Sequence, residues 1–349
     1  MKKILLNGAT RSTNFGDFLF AYIFQKEVSE IVGKENVYWY ESPFALSTFF
    51  REHLNYTSHF KLKEIDSLVC ISGGYFCGND HNIKDYIYRY LSYWHICLRC
   101  MLRKKPIAII GLDVSEPKLI IMKQIEKKIL KYASIITVRN RESINQLHKY
   151  GIDSAELTAD TAHIINDYLD PERRISTNLP KEKKILFLHV SSVQQTMIYL
   201  SSINDFLREH AEYSVLIGTD QYHDSYEYLN EIKNNLKCQY VDVYKYDNPL
   251  DLCYLLKNVD FVVTPKLHVG IVASTFGKSV VSFPGHAEKI QRYYEQLSES
   301  DRCIPIVDYN QKKYSYVLEK YHSTPIVLND SVITAARKNI SYLKDFVLS

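Results

Sequence analysis

Lys266-Leu267-His268 sets a fixed cation one residue away from the side chain best suited to proton transfer near neutral pH. A lysine ammonium is a point charge for a carboxylate or phosphate. Asn14-Phe15-Gly16-Asp17 offers a different tool. At a helix start its backbone N–H groups can meet an anion, Gly16 permits close backbone approach, and Asp17 can cap the helix. Gly285-His286-Ala287-Glu288-Lys289 repeats the first design and adds His286 and Lys289. His189 lies in the apolar run Phe187-Leu188-His189-Val190, Arg139 follows Ile135–Val138 with Asp160 as a candidate partner, and Ser72-Gly73-Gly74 is a glycine turn. Together these supply an acid/base, cations and bare backbone, which is the equipment for a small anionic substrate. Each also has a plainer reading: a helix cap, a tight turn, a salt bridge at a sheet edge, a core histidine.

The segments share a position. Each closes a short apolar run that reads as a buried strand: Ile4–Leu6, Ser67–Ile71, Ile107–Ile110, Ile135–Val138, Ile185–Val190, Phe261–Val263 and Ser279–Phe283. Val37–Tyr40, Ser214–Ile217 and Tyr240–Val243 are further strands, with helical stretches between them. Strands alternating with helices predict parallel sheets covered on both faces. In such sheets ligands bind at the carboxyl ends of the strands.

With 349 residues the chain exceeds one ordinary core. The polar stretch 170–184 carries Pro171 and Pro180, and the strand–helix alternation restarts after it. The expected fold class is α/β, two Rossmann-like domains facing a cleft in a GT-B-like arrangement. The domains are expected at 1–170 (acceptor side) and 185–330 (donor side), with a C-terminal helix over 331–349 packing back on the first. A net charge of +3 gives no electrostatic footprint for nucleic acid. The 28 tyrosines suit sugar-stacking surfaces as well as buried faces. Cys97 and Cys100 form a CxxC, but no second pair follows at zinc-site spacing, so no metal is expected. No apolar run reaches membrane-span length and none reads as a signal peptide, which predicts a cytoplasmic chain. The segment 86–105, with Ile87, Leu91, Trp94, Leu98 and Met101 at helical spacing among arginines and lysines, has two readings. It can lie on an anionic membrane surface as a peripheral contact, or pack on its own core, and packing is the commoner outcome.

In order and spacing these segments resemble the polysaccharide pyruvyl transferase family. The resemblance rests on Asn14-Phe15-Gly16-Asp17, Gly73-Gly74, Val138-Arg139-Asn140-Arg141-Glu142-Ser143, Ala159-Asp160-Thr161-Ala162, Lys266-Leu267-His268 and Lys289, and covers roughly residues 1–297. Lys266 stands where the family pattern has Arg, and Asn140 where it has Asp. The resemblance implies pyruvyl transfer from phosphoenolpyruvate to a sugar of a polysaccharide or lipid-linked precursor, forming a cyclic ketal. Phosphoenolpyruvate would be a co-substrate, with no further cofactor. Implied catalytic residues are His268 and Lys266. The donor would meet Lys266, His268, His286, Lys289 and His189. The saccharide acceptor would meet Asn14, Gly16, Asp17, Gly73, Gly74 and Arg139. Two other readings stay open: a GT-B glycosyltransferase using a nucleotide sugar, and a non-catalytic saccharide-binding homologue.

Overall fold

The structure is a computed structural model that describes residues 1–41, 48–54, 59–76 and 83–349. Met1–Thr13, Asp17–Ile165 and Asp330–Ser349 make one compact unit; Asn14–Gly16 and Asn166–Asn329 make a second.

The first unit is built on β1 (Ile4–Asn7), β2 (Val37–Trp39), β3 (Ser67–Cys70), β4 (Gly73–Phe76), β5 (Ile107–Val114), β6 (Ile135–Val138) and β7 (Glu156–Leu157). Their order is β2-β1-β3-β5-β6-β7, with β4 also paired to β5, and every pair is parallel. Buried β-branched and aliphatic runs explain the central strands: β1, β3 and β5 are buried at every residue.

Two expectations for this sheet need correcting. Ser72-Gly73-Gly74 is no turn, because Gly73 already pairs with Leu112 as β4 begins. The partner is available because β5 does not stop at Ile110. Gly111 takes φ +67°, a left-handed conformation, and the register of β5 on β6 shifts between Ile109 and Leu112. A glycine in that conformation inside a strand makes a bulge and lets pairing resume beyond it. The strand therefore runs on to Asp113 and Val114.

The C-terminal helix Asp330–Leu348 belongs to the first unit. It buries Ala336, Asn339, Ile340, Leu343, Phe346 and Val347, a three-and-four spacing that places one stripe inward. Each large apolar side chain so buried contributes about 1.5–3 kcal/mol. Asn339 is 0% exposed. Its Oδ1 accepts from Thr137 Oγ1 (2.6 Å) and Thr158 Oγ1 (2.8 Å). Its Nδ2 donates to the Ala159 carbonyl (2.9 Å) and Thr161 Oγ1 (3.1 Å).

Over residues 86–105 the core side chains are Tyr86, Trp94, Ile96, Cys97 and Cys100, with Leu98 and Met101 packed against them, while Ile87 is 53% exposed. A π-helical turn at Tyr90–Trp94 separates the helices Ile83–Arg89 and His95–Leu102. Of the expected stripe, Trp94, Leu98 and Met101 reach the core, while Ile87, before the turn, does not. The segment packs on its own core. The Cys97 thiol lies 3.6 Å from that of Cys70. The contact with Cys70, then burial, push the Cys97 pKa well up, and burial pushes Cys100 to about 12. Both are unreactive core thiols. Among the described residues no helix is long and apolar enough to cross a membrane.

The second unit holds β8 (Lys184–His189), β9 (Tyr213–Gly218), β10 (Val241–Val243), β11 (Phe261–Thr264) and β12 (Ser279–Ser282), all parallel, in the order β10-β9-β8-β11-β12. This is the Rossmann order over five strands: the chain runs outward from β8 on one side, then returns to add β11 and β12 on the other. The order reverses between β8 and β11, and a crevice opens at the carboxyl ends of such a strand pair. Side-chain caps start the flanking helices. Ser192 accepts from the Gln195 amide before Val193–Glu209, and Asn248 accepts from Leu250 before Pro249–Asn258, where proline fits the first position.

Candidate functional site

At the reversal point of the second sheet, His189 ends β8 and Thr264 ends β11. His189 is 0% exposed, with Nδ1 2.8 Å from Thr264 Oγ1 and Nε2 3.3 Å from Asp220 Oδ1. Thr264 Oγ1 accepts from the Lys266 amide (3.1 Å) and donates to the Lys266 carbonyl (3.4 Å). The buried histidine thus holds the turn that carries Lys266 and His268. The sequence counts His189 among donor contacts; in the structure it is fully buried, with Nδ1 against Thr264 and Nε2 facing Asp220.

Asp220, two residues beyond β9, is the group that sequence reading missed. It is 3% exposed. Burial alone would raise its pKa. The hydrogen bond and charge of His189, with the charges of Lys266 and His268, outweigh that and hold the carboxyl below its usual value. Gly218-Thr219-Asp220 closes a strand just as the singled-out segments do, so the strand-end rule applied to Ser214–Ile217 would have found it.

The loop expected on the acceptor side packs here instead. Asn14–Gly16 belongs to the second unit. The Phe15 amide donates to the Asp220 carbonyl (3.0 Å), and Asn14 Nδ2 lies 3.4 Å from Asp220 Oδ2. The Phe15 ring meets Tyr246 edge-on at 6.5 Å. The cap of the helix Phe15–Val32 is Asn14, whose Oδ1 accepts from the Gly16 amide (3.0 Å). Asp17, expected to cap, sits inside the first turn and accepts from Ser12 Oγ (3.1 Å). A Cβ on Gly16 would lie 1.8 Å from His268 Nδ1, so no other residue fits while the imidazole stays in place.

His268 is the second residue of the helix Leu267–Thr275 and, like Lys266, is half-buried. Among the described residues Lys266 makes no ion pair. After β12, His286 is exposed and Lys289 half-buried at the start of the helix Glu288–Gln296. Since β12 pairs with β11 through Thr264↔Ser282, both turns leave the same sheet edge.

In the first unit Arg139 is held by Asp160 (2.6 Å) and Asp113 (3.6 Å) and is 8% exposed. Asn140 accepts from the Ser143 amide (2.8 Å) and donates to Asp113 Oδ1 (3.0 Å). Asn140 here acts as a helix cap on Arg141–Lys149. Asp113 also escaped sequence reading, because β5 was expected to end before it. Gly73 is buried and Gly74 half-buried within β4.

Comparison with known proteins bears on the fold first. The chain is similar to the UDP-GlcNAc 2-epimerase from Neisseria meningitidis bound to UDP-GlcNAc: 12% identity, TM-score 0.67, 99% of this chain and 100% of that one. The S. aureus MnaA–UDP co-structure matches at 11% identity and TM-score 0.66, over 100% and 97% of the two chains. Acinetobacter baumannii MurG matches at 8% identity and TM-score 0.57, over 98% and 99%. These likenesses show the fold, α/β with two Rossmann-like sheets of the GT-B type. A search of curated proteins found no match. The sequence profile of polysaccharide pyruvyl transferases matches residues 14–286, from the Asn14 loop through the Lys266–His268 turn to His286, and by that match the chain belongs to this family of transferases.

Proposed function

We propose that this transferase moves the pyruvyl group of phosphoenolpyruvate onto two hydroxyls of a sugar, forming a cyclic ketal on a polysaccharide or lipid-linked precursor. The observation that carries the reading is the Lys266–His268 turn at the reversal point of the second sheet. It offers an ammonium with no ion pair among the described residues and an imidazole set against the bare backbone of Gly16.

His268 delivers a proton to C3 of the enol, which makes C2 electrophilic. The first hydroxyl oxygen bonds to C2, the bond from C2 to the phosphate oxygen breaks, and the second hydroxyl closes the ring. Of the two hydroxyl protons, one balances that taken up at C3 and the other leaves with phosphate. Lys266 and Lys289 hold the donor's carboxylate and phosphate, and His286 adds a donor on the neighbouring turn. Asn14, Gly16, His189 and Asp220 act by fixing His268 and Lys266.

The test is turnover with phosphoenolpyruvate and candidate saccharides, following phosphate release and acceptor mass together. The expected result is phosphate appearing in step with an acceptor that carries one ketal-linked pyruvyl. Release of a nucleoside diphosphate from a nucleotide sugar, with no ketal formed, would contradict it. So would saccharide binding with no turnover of either donor.

A further inference from the structure

At the amino-terminal edge of the second sheet, away from the strand ends just described, two histidines and a glutamate converge. His210 follows the helix Val193–Glu209; Glu319 and His322 stand at the end of the helix Gln311–Tyr321. One ligand atom from each of the three lies within 4.8 Å of the other two. The imidazole centroids are 4.3 Å apart, and Phe206 stacks on His210 at 4.4 Å.

The hydrogen bonds orient both rings. Tyr213 O–H donates to the His322 carbonyl (3.1 Å), so its oxygen is left to accept from His322 Nδ1–H at 3.3 Å. His322 Nε2 then keeps its lone pair. On the other ring, Nδ1 faces Glu212 Oε1 at 3.3 Å and donates to that carboxylate. His210 Nε2 meets Glu319 Oε2 at hydrogen-bond distance, 2.7 Å, so a bound ion would replace the shared proton and widen this pair. A carboxylate or hydroxyl behind the far nitrogen of each imidazole is the outer-shell arrangement that fixes metal-ligating histidines.

We propose that His210, Glu319 and His322 bind one zinc ion. Two imidazoles and a carboxylate form a borderline donor set that suits zinc over magnesium or calcium, and water completes a tetrahedron. The ion would tie the ends of two helices to the first residues of β9, so its role is to brace the second unit.

The test uses the full-length, untagged chain stripped with a chelator, with zinc titrated in competition with a chromogenic zinc indicator and thermal unfolding followed in parallel. One equivalent is expected to bind and to raise the unfolding temperature. Glu319→Gln, at an exposed position, keeps the fold and loses both effects. His210→Ala and His322→Ala, checked by circular dichroism, lose at least about 100-fold in affinity, and Tyr213→Phe about 10-fold, in line with ligand and outer-shell losses. Cobalt in place of zinc gives the visible bands of a tetrahedral nitrogen and oxygen site, without thiolate charge transfer. Failure to withdraw zinc from the indicator would overturn the proposal. So would an affinity unchanged in all three ligand variants, which would put the zinc elsewhere.

Discussion

Arg139, in the first unit, lies between Asp160 at 2.6 Å and Asp113 at 3.6 Å and is 8% exposed. Lys266, in the second, stands half-buried after β11 with no ion pair among the described residues. Both cations follow a buried strand, and both are addressed by carboxylates. The geometry differs. Asp113 and Asp160 grip the guanidinium directly, while Asp220 reaches Lys266 only through its field and spends its contacts on His189, Asn14 and the backbone of Phe15. Strand-end position locates candidate sites. Whether a charge is answered within the protein separates the group that braces a sheet from the group left to meet a ligand.

The largest effect that would break this contrast is on His268. His268→Ala should lower pyruvyl transfer by about 10²–10⁴-fold, the usual loss of a proton-transfer group, with the fold intact by circular dichroism. Near-normal turnover would remove His268 as the acid/base. Next is Arg139→Met, which strands two buried carboxylates and should cost about 3–5 kcal/mol in urea unfolding. Its activity per folded molecule should stay close to that of the parent. A stable Arg139→Met protein with a raised acceptor KM would instead make Arg139 the acceptor contact that its position in the sequence suggests.

A smaller effect sharpens the role of Asp220. Its pKa is lowered in the folded chain, so its stabilisation is full above the unfolded carboxylate value of about 3.9 and fades as pH falls through the folded value. The stability gap between the parent and Asp220→Asn should therefore be flat above about pH 5 and shrink in more acid solution. A gap independent of pH would mean that the carboxylate is not held by His189.

Most of both sheets was legible, because parallel strands buried on two faces read as short apolar runs. β6, Ile135–Val138, emerges with the bounds its residues predict. The turns with Lys266, His268, Asn14 and Gly16 were legible from the strand-end rule. What escaped depended on backbone conformation or on distance along the chain. Gly111 read as a terminator, yet at φ +67° it is a bulge, which hid Asp113 and made Gly73-Gly74 look like a turn. Asn339 gathers Thr137, Thr158, Ala159 and Thr161 from far along the chain, and no local pattern announces that.

The most direct test of the second-unit site is calorimetric titration of phosphoenolpyruvate into the parent chain, Lys266→Ala and Lys266→Arg, with thermal stability checked in parallel. Loss of one charge-assisted contact costs about 1.5–3 kcal/mol, so Lys266→Ala should bind roughly 10- to 150-fold more weakly while Lys266→Arg stays close to the parent. Equal affinities for the parent and Lys266→Ala would contradict the account and move the anion site to Lys289 and His286.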